Sequence, residues 1–166
     1  DYRGWRLVEC PPNGQGLAAL LIARILEGFD LRDCATSEAD RIHLLAEATK
    51  AAYAVRDRII ADPAHATIDA ARALSDASVA ALRDAIEIAC AAPPTPDAAP
   101  AHRDTVTVAV ADRDGCAVSI INSVFHAFGA GVMAPRSGVL LQNRGAGFRL
   151  DPGHPNAIGP RKRPFH

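Results

Sequence analysis

Apolar positions change their spacing once along the chain, from a recurrence of three to four residues before about residue 91 to strict alternation from Thr105 onward. The first regime predicts helices. Trp5 to Cys10 is read as a short strand, Pro11-Pro12-Asn13-Gly14-Gln15-Gly16 as a loop, and Leu17 to Glu27 as a helix closed by Gly28. Ser37 is placed to cap a longer helix from about Ala39 to Ala61, with Ile42, Leu45, Ala46, Thr49, Ala52 and Tyr53 as its apolar face and Asp62-Pro63 as its stop. A third helix is expected from about Asp76 to Ala91, where Val79, Leu82, Ile86 and Cys90 fall at helical spacing and are read as core.

The second regime predicts a hairpin. Thr105 to Ala111 and Ala117 to Val124 alternate as strands, and Asp112-Arg113-Asp114-Gly115 between them supplies turn conformations. The returning strand runs antiparallel, so Ser123 at its far end is expected beside Thr105. Gly129-Ala130-Gly131 breaks the alternation, Gly138 to Leu141 is read as another short strand, and the chain beyond Gln142 as loop. No internal repeat is visible. The fold class is therefore α+β, with a helical part over 1–104 that ends in an Ala/Pro-rich connector over 89–104, and a strand and glycine-rich part over 105–166.

Composition narrows the function classes. The 166 residues carry a net charge of −1 and a pI of about 6.6, so no basic field points to nucleic acid or an anionic membrane as partner. Arg161-Lys162-Arg163 is the one dense basic cluster and is read as a solvated surface. The longest apolar run, Leu17 to Leu26, is interrupted by Arg24 and too short to span a bilayer. Cys10, Cys34, Cys90 and Cys116 lack zinc-type spacing and are read as buried free thiols rather than disulfides. The Gly14/Gly16 pair completes no phosphate-binding motif, and Asp112/Asp114 offers too few oxygens for a metal and is explained by the turn. His126 and His154 have no second ligand at a metal spacing and are read as structural. The chain starts without Met at Asp1 and stops at His166 without a closing element, which is expected of an interior piece of a larger protein.

Thr105 is the residue with chemical promise. A breaker-rich connector containing Pro93, Pro94, Pro96 and Pro100 feeds directly into a strand that opens on its hydroxyl, the arrangement a self-cleaving hydrolase needs. Cleavage between Asp104 and Thr105 would give one residue both a nucleophilic hydroxyl and an α-amine, with a reference pKa of roughly 8, to take up its proton. Most Thr residues that open a strand are there for β-propensity.

Longer motifs add to that reading. The stretch DTVTVAVADRDGCAVSIINSVFHAFGAGVMAPRSGVLLQNRGAGFRLDPGHPNAIGPRKRPFH, Asp104 to His166, resembles the start of the small subunit of the gamma-glutamyltranspeptidase family of N-terminal-nucleophile hydrolases. DYRGWRLVECPPNGQGLAALLIARILEGFDL, from Asp1, and HLLAEATKAAYAVRDRIIADP, from His43, resemble the end of that family's large subunit, leaving 64–103 without a specific match.

The resemblance implies part of a four-layer αββα sandwich spanning the junction of the two subunits, which stay together as a heterodimer. It implies autocatalytic cleavage at Asp104/Thr105 and amide hydrolysis or acyl transfer through an acyl-Thr105 ester, with Thr105 as nucleophile and N-terminal base and Ser123 orienting it. No metal or organic cofactor is required by that mechanism. Thr107 stands where the family often has His. Phe125, Arg144 and Gly147 stand where the glutathione-acting members hold an α-ammonium with Asn, Gln and Asp, so a small-molecule amide without a free α-amine is the expected substrate. Asn143, Arg144, Gly145 and Gly147 are expected in the pocket wall, with Arg144 as the anion partner. These traits resemble the branch that includes oxamate amidohydrolase and the cephalosporin or glutaryl acylases. The oxyanion hole and the carboxylate-binding Arg are expected outside the 166 residues. A glutathione-using γ-glutamyl hydrolase or transferase, and an inert structural member, remain the alternatives.

Overall fold

The computed structural model describes residues 1–33, 37–93 and 105–166. They belong to two compact units, one formed by Asp1–Ala98 with Phe148–His166 and the other by Ala99–Gly147. The expected cleavage divides the chain at a covalent bond, whereas these units divide it by packing, so the last nineteen residues of the chain, which follow Thr105, fold with the helices that precede it.

The helical unit is built from α1 (Gly16–Leu26), α2 (Glu38–Ile59), the single turn α3 (Ala70–Ala73) and α4 (Asp76–Asp84). Leu17, Leu21 and Ile25 lie one turn apart on α1 and pack with Leu44, Ala48, Ala52 and Val55 of α2 and Val79 of α4. Ser37 caps α2 through a reciprocal box, accepting from the Asp40 N–H at 3.1 Å while Asp40 accepts from the Ser37 N–H at 3.1 Å. The Ser37 hydroxyl, which donates to Asp40 Oδ2 at 2.7 Å, and after it the Ser37 N–H hold the Asp40 carboxyl below its ordinary pKa.

The buried face of α2 is the expected one only at Ala52. Ile42, Leu45 and Tyr53 are exposed, while Leu44, Glu47, Ala48, Ala52, Val55 and Arg56 are buried. Small Ala48 and Ala52 let α1 approach closely, and the two buried charges are matched locally. Glu47 accepts from Lys50 and from the Ala92 N–H, which lower its pKa. Arg56 bonds Asp57 and Gln15 and lies over the Tyr53 ring. Two further expectations fail. Trp5 to Cys10 forms no strand, only a Tyr2–Trp5 bridge at its start. The third helix ends at Asp84, after which Glu87 and Ala92 turn their carbonyls to His43 and Lys50 of α2. Cys10, Cys90 and Cys116 are free thiols but exposed rather than buried, and Cys34 lies outside the described residues.

In the second unit β1 (Thr105–Ala111) pairs antiparallel with β2 (Ala117–Ser123). Asp112 makes the turn, its Oδ1 accepting from the Asp114 and Cys116 N–H groups at 2.9 Å, and Gly115 supplies the left-handed position at φ 85°. Gly138 to Leu141 contributes a single bridge, Met133 to Leu140, rather than a strand.

Candidate active site

The register of the hairpin sets Thr105 directly opposite Ser123. Their side chains share a face, and the Thr105 hydroxyl donates to Ser123 Oγ at 3.0 Å. Thr105 is exposed, and Ser123 partly so. Thr107 lies two residues along β1, opposite Ile121. Asp104, the other side of the expected cleavage bond, lies outside the described residues.

Beyond Ser123 the backbone turns sharply. Phe125 adopts φ 79°, a left-handed value that costs a non-glycine residue about 1–3 kcal/mol and persists only where its surroundings impose it. Two contacts are present to do so. The Phe125 N–H donates to Ser123 Oγ at 3.0 Å, and the Phe125 ring lies under the Arg144 guanidinium, 4.2 Å from carbon to centroid. Thr105, Ser123, Phe125 and Arg144 thus form one connected series.

Asn143 locks the second half of that series in place. Its N–H donates to the Val124 carbonyl at 3.2 Å and its Oδ1 accepts from the His126 N–H at 2.9 Å, so the segment before Arg144 is tied to the segment after Ser123. Arg144 then opens a single 3-10 turn, Arg144–Gly147, closed by the Ala146 N–H on the Asn143 carbonyl. Gly129 sits at φ 54° against the Leu141 carbonyl, leaving no room for a side chain where the Ala130 N–H donates to the Leu141 carbonyl and the Leu141 N–H to the Val132 carbonyl. Burial lowers the Arg144 pKa, yet guanidinium begins so high that the group remains a cation.

Arg144 and Gly147 are partly buried and Gly145 is exposed, with nothing within 4 Å of where its side chain would be. His126 meets the Phe125 ring edge to face at 4.5 Å. Among the described residues no group of three His, Cys, Asp or Glu side chains is placed to hold a metal, and no helix is long and apolar enough to cross a membrane. That Phe125 links Ser123 to Arg144 is not legible from residue types, because a left-handed φ at an aromatic residue has no residue-type signature.

Comparison with known proteins places the whole chain in one family. The family model for gamma-glutamyltranspeptidase matches residues 1–166. The glutathione hydrolase-like YwrD proenzyme of Bacillus subtilis is 42% identical over 166 residues, covering 100% of this chain and 31% of its own length. The oxamate amidohydrolase proenzyme of Klebsiella pneumoniae is 42% identical over 162 residues, covering 98% and 29%. The crystal structure of cephalosporin acylase from Bacillus halodurans superposes with a TM-score of 0.81 at 37% identity, over 100% of this chain and 30% of that one. The chain therefore spans about 30% of the length of the proteins it matches. Its mixed helix-and-strand fold is that of an N-terminal-nucleophile hydrolase, and with its whole length matched the chain belongs to the gamma-glutamyltranspeptidase family.

Proposed function

We propose that this chain is the junction region of a self-processing amidohydrolase or acyltransferase whose nucleophile is Thr105. The observation that carries the reading is the 3.0 Å hydrogen bond from Thr105 Oγ1 to Ser123 Oγ. In maturation the Thr105 oxygen attacks the Asp104 carbonyl, the Asp104–Thr105 C–N bond breaks, and water hydrolyses the resulting ester to leave a carboxylate on Asp104 and a free α-amine on Thr105. In turnover the same oxygen attacks the substrate amide, its proton passes by way of the α-amine to the departing amine, and water releases the acyl group from the Thr105 ester. Ser123 orients the nucleophile in both, and the 1–104 and 105–166 portions belong to different subunits of the cut protein, which stay associated as a heterodimer.

The substrate is a small amide whose acyl part carries a carboxylate or a neutral group near the scissile bond. Arg144 over Phe125, flanked by Asn143, Gly145 and Gly147, supports this reading, because a cation at that place attracts a carboxylate and repels an ammonium. A γ-glutamyl donor is the second reading, supported by the name of the YwrD relative, which equals the oxamate enzyme in identity at 42%.

The test uses full-length protein. Thr105→Ala is expected to abolish both chain cleavage and amide hydrolysis, and Thr105→Ser to retain part of each. A Thr105→Ala protein that cuts at this bond and turns over substrate normally rules the nucleophile out.

A further inference from the structure

We infer that the segment from His154 to His166 is a clasp that holds the two products of cleavage together, with the Asp62–Arg163 pair as its lock. The inference rests on the proposed cut before Thr105, because only then do the clasp and its seat lie on different chains.

The helical unit is where the two meet. Asp62 follows the end of α2 and is 2% exposed, among the most completely buried side chains of the described residues. Its partners come mainly from more than 100 residues downstream. Oδ1 accepts from the Arg163 guanidinium at 2.8 Å, and Oδ2 from the Arg163 backbone N–H at 2.9 Å, with the Ala64 N–H on Oδ1 at 3.2 Å. A buried carboxylate is tolerated only when it is paired, so Asp62 stays seated as long as Arg163 does. Its acidity agrees, since Arg163 holds the carboxyl far below the usual carboxylate range.

Around the lock the same segment meets the helical unit at further points, among them the Arg161 carbonyl beside His65 Nε2 at 3.3 Å. His154 Nε2 meets the Asp57 carbonyl at 2.7 Å. Asn13 donates to the Pro164 carbonyl at 2.7 Å and accepts from the His166 N–H at 2.8 Å. Phe165 packs on the hydrophobic core beside Arg56. The segment is itself braced, with Asn156, 2% exposed, accepting from the Phe165 N–H at 3.0 Å and Lys162 donating to the Pro155 carbonyl at 2.7 Å. A braced strap needs little further ordering to bind, which favours retention once the covalent link is gone.

The clasp is tested with a cut that does not depend on the nucleophile. Full-length Thr105→Ala protein receives a site-specific protease sequence in the 94–104 connector, is checked as a folded single chain, and is then cut and diluted. With Asp62 and Arg163 native, the two pieces are expected to stay together on size exclusion. Asp62→Asn and, separately, Arg163→Gln should each raise the dissociation constant of the pieces about tenfold or more. Asp62→Arg with Arg163→Asp should recover part of that loss, since the side-chain pair is remade while the bond from the residue 163 N–H to a carboxylate at position 62 is not. Dissociation that is the same in all four proteins overturns the clasp. Wild-type protein that never cleaves itself, while the protease-cut pieces behave as expected, overturns the function proposed above and leaves the clasp as an interface of the cut protein only.

Discussion

At the level of single residues, Ser123 carries more of the design than its size suggests. Its oxygen receives the Thr105 hydroxyl from one strand and the Phe125 N–H from the turn that follows, so the proposed nucleophile is held by an atom that is itself held. Ser123→Ala in the full-length protein is expected to slow both self-cleavage and turnover by about tenfold to a thousandfold, the range of a lost positioned hydrogen bond in a proton-transfer step. The fold should survive, because Ser123 is partly exposed and its β1 pairing is made by backbone. Cleavage and steady-state rates equal to wild type would remove Ser123 from the site. Arg144 answers for a different property. If Arg144 pairs with the acyl carboxylate as proposed, Arg144→Gln removes a charge-assisted bond of about 1.5–3 kcal/mol, so KM for an anionic acyl donor should rise by about tenfold or more while self-cleavage continues. Comparing oxamate, a glutaryl amide and γ-glutamyl-p-nitroanilide on both proteins checks this, and a preference for the γ-glutamyl donor that Arg144→Gln leaves unchanged would favour the second reading.

Elements show where a linear reading succeeds. The hairpin was legible down to its register, because alternation fixes the faces, Asp112 and Gly115 fix the turn, and antiparallel pairing then brings Ser123 to Thr105. The capping box of α2 was half legible, with Ser37 evident and the reciprocal Asp40 not. Of the apolar face expected on α2 only Ala52 is buried, because the contact runs through Leu44, Ala48, Ala52 and Val55, while the more conspicuous Ile42, Leu45 and Tyr53 are exposed. Arg161-Lys162-Arg163 is read as a solvated surface, and Arg161 and Arg163 are indeed exposed, but the pairing of Arg163 was not legible. Charge clusters carry no mark of their partners, and Asp62, the partner of Arg163, lies on the far side of the connector. The geometry around Phe125 and Arg144 was legible only in part. Phe125 and Arg144 stood out by type, but their stacking depends on a left-handed φ that no residue type announces.

On the scale of the whole molecule, the clasp and the cut together change what kind of thing unfolds. A single chain unfolds to one species, and its midpoint does not depend on protein concentration. Two associated chains unfold to two species, so mass action makes the folded state more stable as concentration rises. Each tenfold increase adds about 1.4 kcal/mol of effective stability near the midpoint. With a urea dependence of a few kcal/mol per molar, the mature wild-type protein should therefore shift its urea midpoint upward by a few tenths of a molar per tenfold in concentration. Full-length Thr105→Ala, which is expected to remain one chain, should show no shift. The comparison separates association from ordinary stability, because both proteins carry the same Asp62–Arg163 pair, the same α1–α2 core and the same hairpin. It is checked by equilibrium urea titrations at two or three concentrations spanning two decades. Parallel, concentration-dependent midpoints in both proteins would point to self-association of the intact chain instead, and flat midpoints in both would mean that the wild-type chain had never been divided.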